Sequence, residues 1–130
     1  MRILFVDDNA INRQVIRAML DAAGVEMSEA EDAETGLRMI ADEDFDLILM
    51  DIRMPGMDGL AATRKLRERG DAKGALPVIV VTADTAPNLK ADCLSSGAND
   101  LVMKPVQMDV LFDTLGRIIA EHAGADDILV

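Results

Sequence analysis

Short aliphatic runs alternate along this chain with segments whose apolar residues recur every three or four positions. The first run, Ile3-Leu4-Phe5-Val6, precedes a helix-period stretch with Ile11, Val15, Met19, Leu20 and Ala23 on one stripe, stopped by Gly24. Val25 to Ala30 reads as a weaker strand with Glu26, Ser28 and Glu29 interleaved, a polarity that belongs at a sheet edge. Asp32 caps a second helix that turns Ala33, Leu37, Ile40 and Ala41 inward. A third strand, Asp46 to Met50, leads into Met54-Pro55-Gly56-Met57-Asp58-Gly59, a loop dense in turn residues. A third helix follows from Leu60 to about Arg69 and ends near Gly70. Pro77 precedes the fourth strand, Val78-Ile79-Val80-Val81, and Leu89 to Ser96 forms a short fourth helix closed by Gly97. The fifth run, Leu101-Val102-Met103, precedes the most regular helix, with Met108, Leu111, Phe112, Leu115, Ile118 and Ile119 at 3-4 spacing.

This alternation predicts five βα units around a parallel sheet. Runs one, three and four are almost purely aliphatic and so should be buried on both faces, whereas the polar second and the short fifth suit the edges. Right-handed crossovers with those edges favour the strand order 2-1-3-4-5, a doubly wound, flavodoxin-like α/β fold. No repeat, low-complexity block or Pro/Gly/Ser-rich linker divides the 130 residues. One domain over residues 1–122 is expected, with 123–130 as a tail whose Ile128-Leu129-Val130 end has no assigned role.

Composition narrows the function. Acidic residues number 24 against 13 basic ones, a formal charge of −11, which repels phosphate backbones and argues against nucleic-acid and anionic-membrane partners. Three Phe and no Tyr or Trp leave an aliphatic core helped by nine Met, and no aromatic platform for sugars or single strands. One cysteine, Cys93, excludes an internal disulfide framework and a multi-cysteine zinc site, and it falls with Leu89 on the inner stripe of its helix as packing. No apolar stretch approaches the ~20 residues of a membrane span, and nothing before the first strand resembles a signal peptide. The expected location is the cytoplasm.

Candidate chemistry sits where the runs end: on Asp7-Asp8, on Asp51, on Thr82 and on Lys104. In the predicted order these carboxyl ends share one sheet edge, and the crevice between strands one and three brings Asp7 and Asp8 towards Asp51. Three crowded carboxylates repel one another unless a cation joins them, and oxygen-only ligands select a hard ion, Mg²⁺ or Mn²⁺. A backbone carbonyl just after Asp51, such as that of Arg53, would complete its shell. Asp51 is then the candidate phosphoryl acceptor, with the Mg²⁺, Lys104 and the Thr82 hydroxyl each taking one phosphoryl oxygen. Singly, each residue is ordinary at a strand end as a turn or cap. The signal is that all four ends are polar and electrostatically complementary together.

Phe5-Val6-Asp7-Asp8-Asn9, Leu49 through Gly59, Val81-Thr82-Ala83 and Met103-Lys104-Pro105 resemble, in order and spacing over residues 2 to about 120, the response-regulator receiver domain of two-component signalling. The resemblance implies phosphorylation of Asp51 by a histidine kinase or histidine phosphotransfer protein, with Asp7, Asp8, Asp51 and the Arg53 carbonyl around Mg²⁺. It implies switching roles for Thr82, Ala83 and Lys104, and a cis Lys104-Pro105 bond. The run Asp8-Asn9-Ala10-Ile11-Asn12-Arg13 is more similar to receivers of hybrid histidine kinases than to those of transcription factors. Catalysis would be limited to accepting the phosphoryl group and slowly hydrolysing it. The chain is expected to be a single-domain regulator, as Met1 beside the first strand suggests, or a piece of a hybrid kinase; either way its output is contact with a downstream protein.

Leu101 stands where many receivers carry an aromatic ring that swings inward with the Thr hydroxyl, so the usual readout is weakened here. Thr114 replaces an Arg usual in receivers that dimerise through their last helices. Arg53 and Asp84 are expected to form an ion pair at the site mouth that partly screens attacking water. His122 reads as a solvated helix-end residue. Two rivals share the pattern. A flavodoxin-like cofactor binder would need a Ser/Thr/Gly loop where Asp7-Asp8-Asn9 stands, and a phosphate-independent interaction module would keep the site as a relic.

Overall fold

The computed structural model describes the backbone of residues 1–128 and the side chains of residues 1–122. Five strands, β1 (Arg2–Val6), β2 (Glu26–Ala30), β3 (Leu47–Asp51), β4 (Val78–Thr82) and β5 (Asp100–Met103), pair in parallel in the order β2-β1-β3-β4-β5. The polarity argument therefore holds: β3 and β4 are buried at every position, whereas β2 alternates. Helices α1 (Ala10–Ala22), α2 (Ala33–Asp42), α3 (Gly59–Arg67), α4 (Leu89–Ser95) and α5 (Met108–Ile128) cover both faces.

Alternate strand residues divide the core in two. Leu4, Val6, Ile48, Met50, Val78 and Val80 face α2, α3 and α4. Ile3, Phe5, Leu47, Leu49, Ile79 and Val81 face α1 and α5. Among the described residues no helix is long and apolar enough to cross a membrane.

One helix, α1, sits in a different phase from the one its apolar residues suggest. On α1 the buried positions are Ile16 and Leu20, while Ile11 is 69% exposed and Val15 45%. Arg13 and Arg17 both reach Glu29 on β2, and these charged contacts roll the helix so that the Asn12-Ile16-Leu20 line faces inward. α5 keeps the expected stripe: Leu111, Leu115 and Ile118 are buried and Phe112 and Ile119 pack against the same core, while Met108 in its first turn is exposed. Ala41 of α2 also faces solvent. The backbone of α5 continues through residues 123–128, the start of the expected tail, and Leu129 and Val130 lie outside the described residues.

A guanidinium staples the edge opposite the strand ends. Arg67 Nε donates to the Gly97 carbonyl at 2.9 Å, one terminal nitrogen to Gly74 and Leu76 at 3.0 and 2.6 Å, and the other to Asn99 Oδ1 at 3.1 Å. Asn99 Oδ1 also accepts from Val78 N at 2.9 Å, so the cluster fixes the start of β4. Arg67→Met fills the same space but strands these acceptors. We expect it to lower stability by about 2–3 kcal/mol, read as a lower urea midpoint at unchanged m-value.

Candidate functional site

β1, β3, β4 and β5 end along one edge, and their register decides which polar residues meet. Val6 lies beside Met50, Asp51 beside Val81, and Thr82 beside Met103. Asp7 follows β1 where the chain order reverses between β1 and β3, the place where open α/β sheets bind ligands. The start of α3 closes in behind Asp51. Asp58 caps that helix through Ala61 N at 2.7 Å, and Gly59 N donates to the Ile52 carbonyl at 2.8 Å.

Asp7, Asp8 and Asp51 present carboxylate oxygens that all lie within 4.8 Å of one another. Asp7 is fully buried, Asp51 is 6% exposed, and Asp8 faces solvent. Lys104 Nζ lies 3.0 Å from Asp7 Oδ2 and 3.5 Å from Asp51 Oδ1. Burial first, and the Asp7 charge second, push the Asp51 carboxyl above the usual carboxylate range, with Lys104 opposing them. Three carboxylates against one ammonium leave the cluster short of positive charge. Oxygen donors alone, with the exposed Asp8 giving access, fit a hard divalent cation that keeps part of its water.

Asp7 is held from several sides. Its Oδ1 accepts from Asn9 N at 2.9 Å, and its Oδ2 accepts from Asn12 Nδ2 at 3.2 Å as well as from Lys104. The Arg13 guanidinium donates to the Asp7 carbonyl at 2.6 Å.

The outer half of the site is built on β4. Thr82 is buried, and its hydroxyl oxygen accepts from Asp84 N at 3.1 Å. Arg53 donates to Asp84 Oδ2 at 2.6 Å and holds that carboxyl below the usual range, so the expected ion pair is present at the rim. Asp51, Arg53, Thr82, Asp84 and Lys104 line one open cleft, with the exposed Ala83 at its edge. Leu101 lies away from that cleft, half-buried against the α4-side core, and Pro105 follows Lys104 through a cis peptide bond.

Sequence reasoning placed Asn12, Arg13 and Gly59 within its motifs but gave none of them a role in the site. Asn12 and Arg13 follow the Asn9 cap, whose Oδ1 accepts from Ile11 N and Asn12 N and so sets the phase of α1. Read from that cap rather than from Ile11, the helix directs Asn12 towards Asp7.

Residues 3–116 match the family model described as the response regulator receiver domain. Over 115 residues, 88% of this chain, the sequence is 38% identical to the sensor histidine kinase RcsC of Escherichia coli. It is also 38% identical over 112 residues, 86% of this chain, to the autoinducer sensor kinase/phosphatase CqsS of Vibrio cholerae. The matched regions are 12% and 16% of those proteins, so the chain corresponds to a small part of each. Among solved structures, the receiver domain of a Pseudomonas aeruginosa sensor histidine kinase superposes with a TM-score of 0.83 at 35% identity, covering 92% of this chain and 97% of that one. That crystal structure has a magnesium ion coordinated in its active-site cleft.

Proposed function

This chain belongs to the response-regulator receiver family of phosphoacceptor signalling domains, and on that premise we propose that Asp51 takes a phosphoryl group from a phosphohistidine partner with Mg²⁺ in the acidic cluster. One Asp51 oxygen forms the new bond to phosphorus as the donor's P–N bond breaks. The leaving imidazole keeps the electron pair and takes a proton from solvent. Asp7, Asp8, Asp51 and the Arg53 carbonyl are the proposed ligands of the cation, which when bound neutralises the approaching phosphoryl oxygens; Mn²⁺ has the same donor preference. Lys104 pairs with a second phosphoryl oxygen. The Thr82 hydroxyl turns from Asp84 N to donate to a third.

The observation that carries this reading is the buried, cation-short pair Asp7 and Asp51, with Lys104 bridging them at 3.0 and 3.5 Å. The magnesium-bound Pseudomonas receiver supports the choice of ion. We place the receiver unit at 1–122, on the cytoplasmic side of the cell. Its partners are a histidine kinase or histidine phosphotransfer protein upstream and a protein contact downstream. The switch is read through Thr82, Ala83 and Leu101, with an aliphatic side chain at Leu101 as its lever and Pro105 shaping the loop beyond Lys104.

A phosphorylated histidine phosphotransfer protein mixed with this chain and Mg²⁺ should lose its label to it within minutes. Label that stays on the donor refutes the reading. The Arg53–Asp84 pair shields the cleft only partly, because the Arg53 side chain is 78% exposed. Arg53→Ala is therefore expected to speed dephosphorylation by about two- to fivefold, and an unchanged rate removes the shielding role.

A further inference from the structure

Asn12 lies outside the set of strand-end residues, yet its carboxamide points at the most buried carboxylate of the site. Asp7 Oδ2 has two side-chain donors, Lys104 Nζ at 3.0 Å and Asn12 Nδ2 at 3.2 Å. Both carboxylate oxygens belong to a residue with no exposed surface, so a lost side-chain partner is costly to replace from solvent. Lys104 is the donor that must move. It is shared with Asp51 at 3.5 Å, and a phosphoryl group on Asp51 presents new anionic oxygens that draw the ammonium towards them. Asn12 has no such competing call. It sits on the inner line of α1, anchored by the Asn9 cap at one end and the Arg13–Glu29 pair beside it.

Resting on the function proposed above, we infer that Asn12 is a positioning residue of phosphoryl acceptance: it keeps Asp7 Oδ2 partnered and aimed when Lys104 swings from Asp7 to the phosphoryl group. In the resting protein the two donors overlap in role, so Asn12 is nearly redundant. With the phosphoryl group in place it is the remaining side-chain donor to that oxygen. Asn12 thus acts on the phosphorylated state far more than on the fold or on metal binding. A purely structural residue would affect all three alike.

The test is a thermal-melting titration of the full chain with Mg²⁺ alone, and with Mg²⁺ plus beryllofluoride, a tetrahedral mimic of the phosphoryl group. Asn12→Leu removes the donor and preserves the volume. It should leave the melting temperature without ligand unchanged and the Mg²⁺ dissociation constant within about twofold of wild type, while weakening apparent beryllofluoride affinity about tenfold. Asn12→Asp has the shape of Asn but no donor at that atom. It should keep or tighten Mg²⁺ binding and still lose beryllofluoride affinity, which separates donation from packing. The half-life of acetyl-phosphate-derived phosphoryl on Asp51 should shorten in both variants. Wild-type beryllofluoride affinity in Asn12→Leu, or an equal loss of Mg²⁺ and beryllofluoride binding, overturns the inference alone. A wild type that takes neither beryllofluoride nor phosphoryl overturns the proposed function, and this inference with it.

Discussion

Gly59→Ala should destabilise the protein by more than about 3 kcal/mol and abolish Mg²⁺-dependent phosphoryl uptake even where the chain still folds. The reason is space rather than backbone conformation. A Cβ at Gly59 would lie 1.9 Å from the Asp51 carbonyl oxygen and 2.9 Å from Met50 Cγ. The nearest obstacle is the backbone of the strand that carries the acceptor, so no rotamer change relieves it. α3 would have to back away from β3, stretching the 2.8 Å bond from Gly59 N to the Ile52 carbonyl and moving Asp58 with its cap. Chemical denaturation gives the stability loss. An Ala variant with wild-type stability would mean that α3 does not press on the end of β3 as described.

Lys104→Met is expected to lower stability by about 3–4 kcal/mol at neutral pH without divalent cation, since it leaves two buried carboxylates facing each other with no charge between them. Most of that loss should return on adding millimolar Mg²⁺, because the cation takes over the neutralising role. It should also return on acidification. The folded protein holds Asp51 above its ordinary pKa, so the folded state binds that proton more readily than the unfolded chain. Stability from this source is complete below the ordinary carboxylate range near 4, and it is lost as the pH rises through the raised folded value. Removing the opposing ammonium widens that window upward. Urea melts of wild type and Lys104→Met at pH 5 and pH 7.5, each with and without Mg²⁺, check the three effects together. A Met variant that is equally stable in all four conditions contradicts the electrostatic account of the site.

Legibility from sequence divides along a physical line. Strand order was readable because burial on two faces, one face or neither writes directly into residue type: β4 is Val-Ile-Val-Val-Thr, whereas β2 is Glu-Met-Ser-Glu-Ala. The acidic cluster was readable for a related reason, since in a parallel sheet the residue ending each strand has only one edge to occupy. The rotation of α1 was not. Ile11 and Val15 look like core residues by type, yet two arginines paired with Glu29 and the Asn9 cap turn them outward. Hydrophobic periodicity gives the width of an apolar stripe but is weak on its phase when charged anchors compete. That misjudged phase concealed Asn12. Gly59 was hidden differently: a glycine in a turn-rich loop reads as a turn former, and only the approach of the Asp51 carbonyl shows that it is needed for its missing side chain.

The most direct test of the central claim is intact-mass analysis of the chain after incubation with acetyl phosphate, with and without Mg²⁺, for wild type and Asp51→Asn. The account predicts one added phosphoryl group on wild type with Mg²⁺, none on wild type without it, and none on Asp51→Asn under either condition. It also predicts that the adduct is released by hydroxylamine, as an acyl phosphate is. Wild type that gains no mass with Mg²⁺, or Asp51→Asn that gains it equally, would contradict the assignment of Asp51 as acceptor.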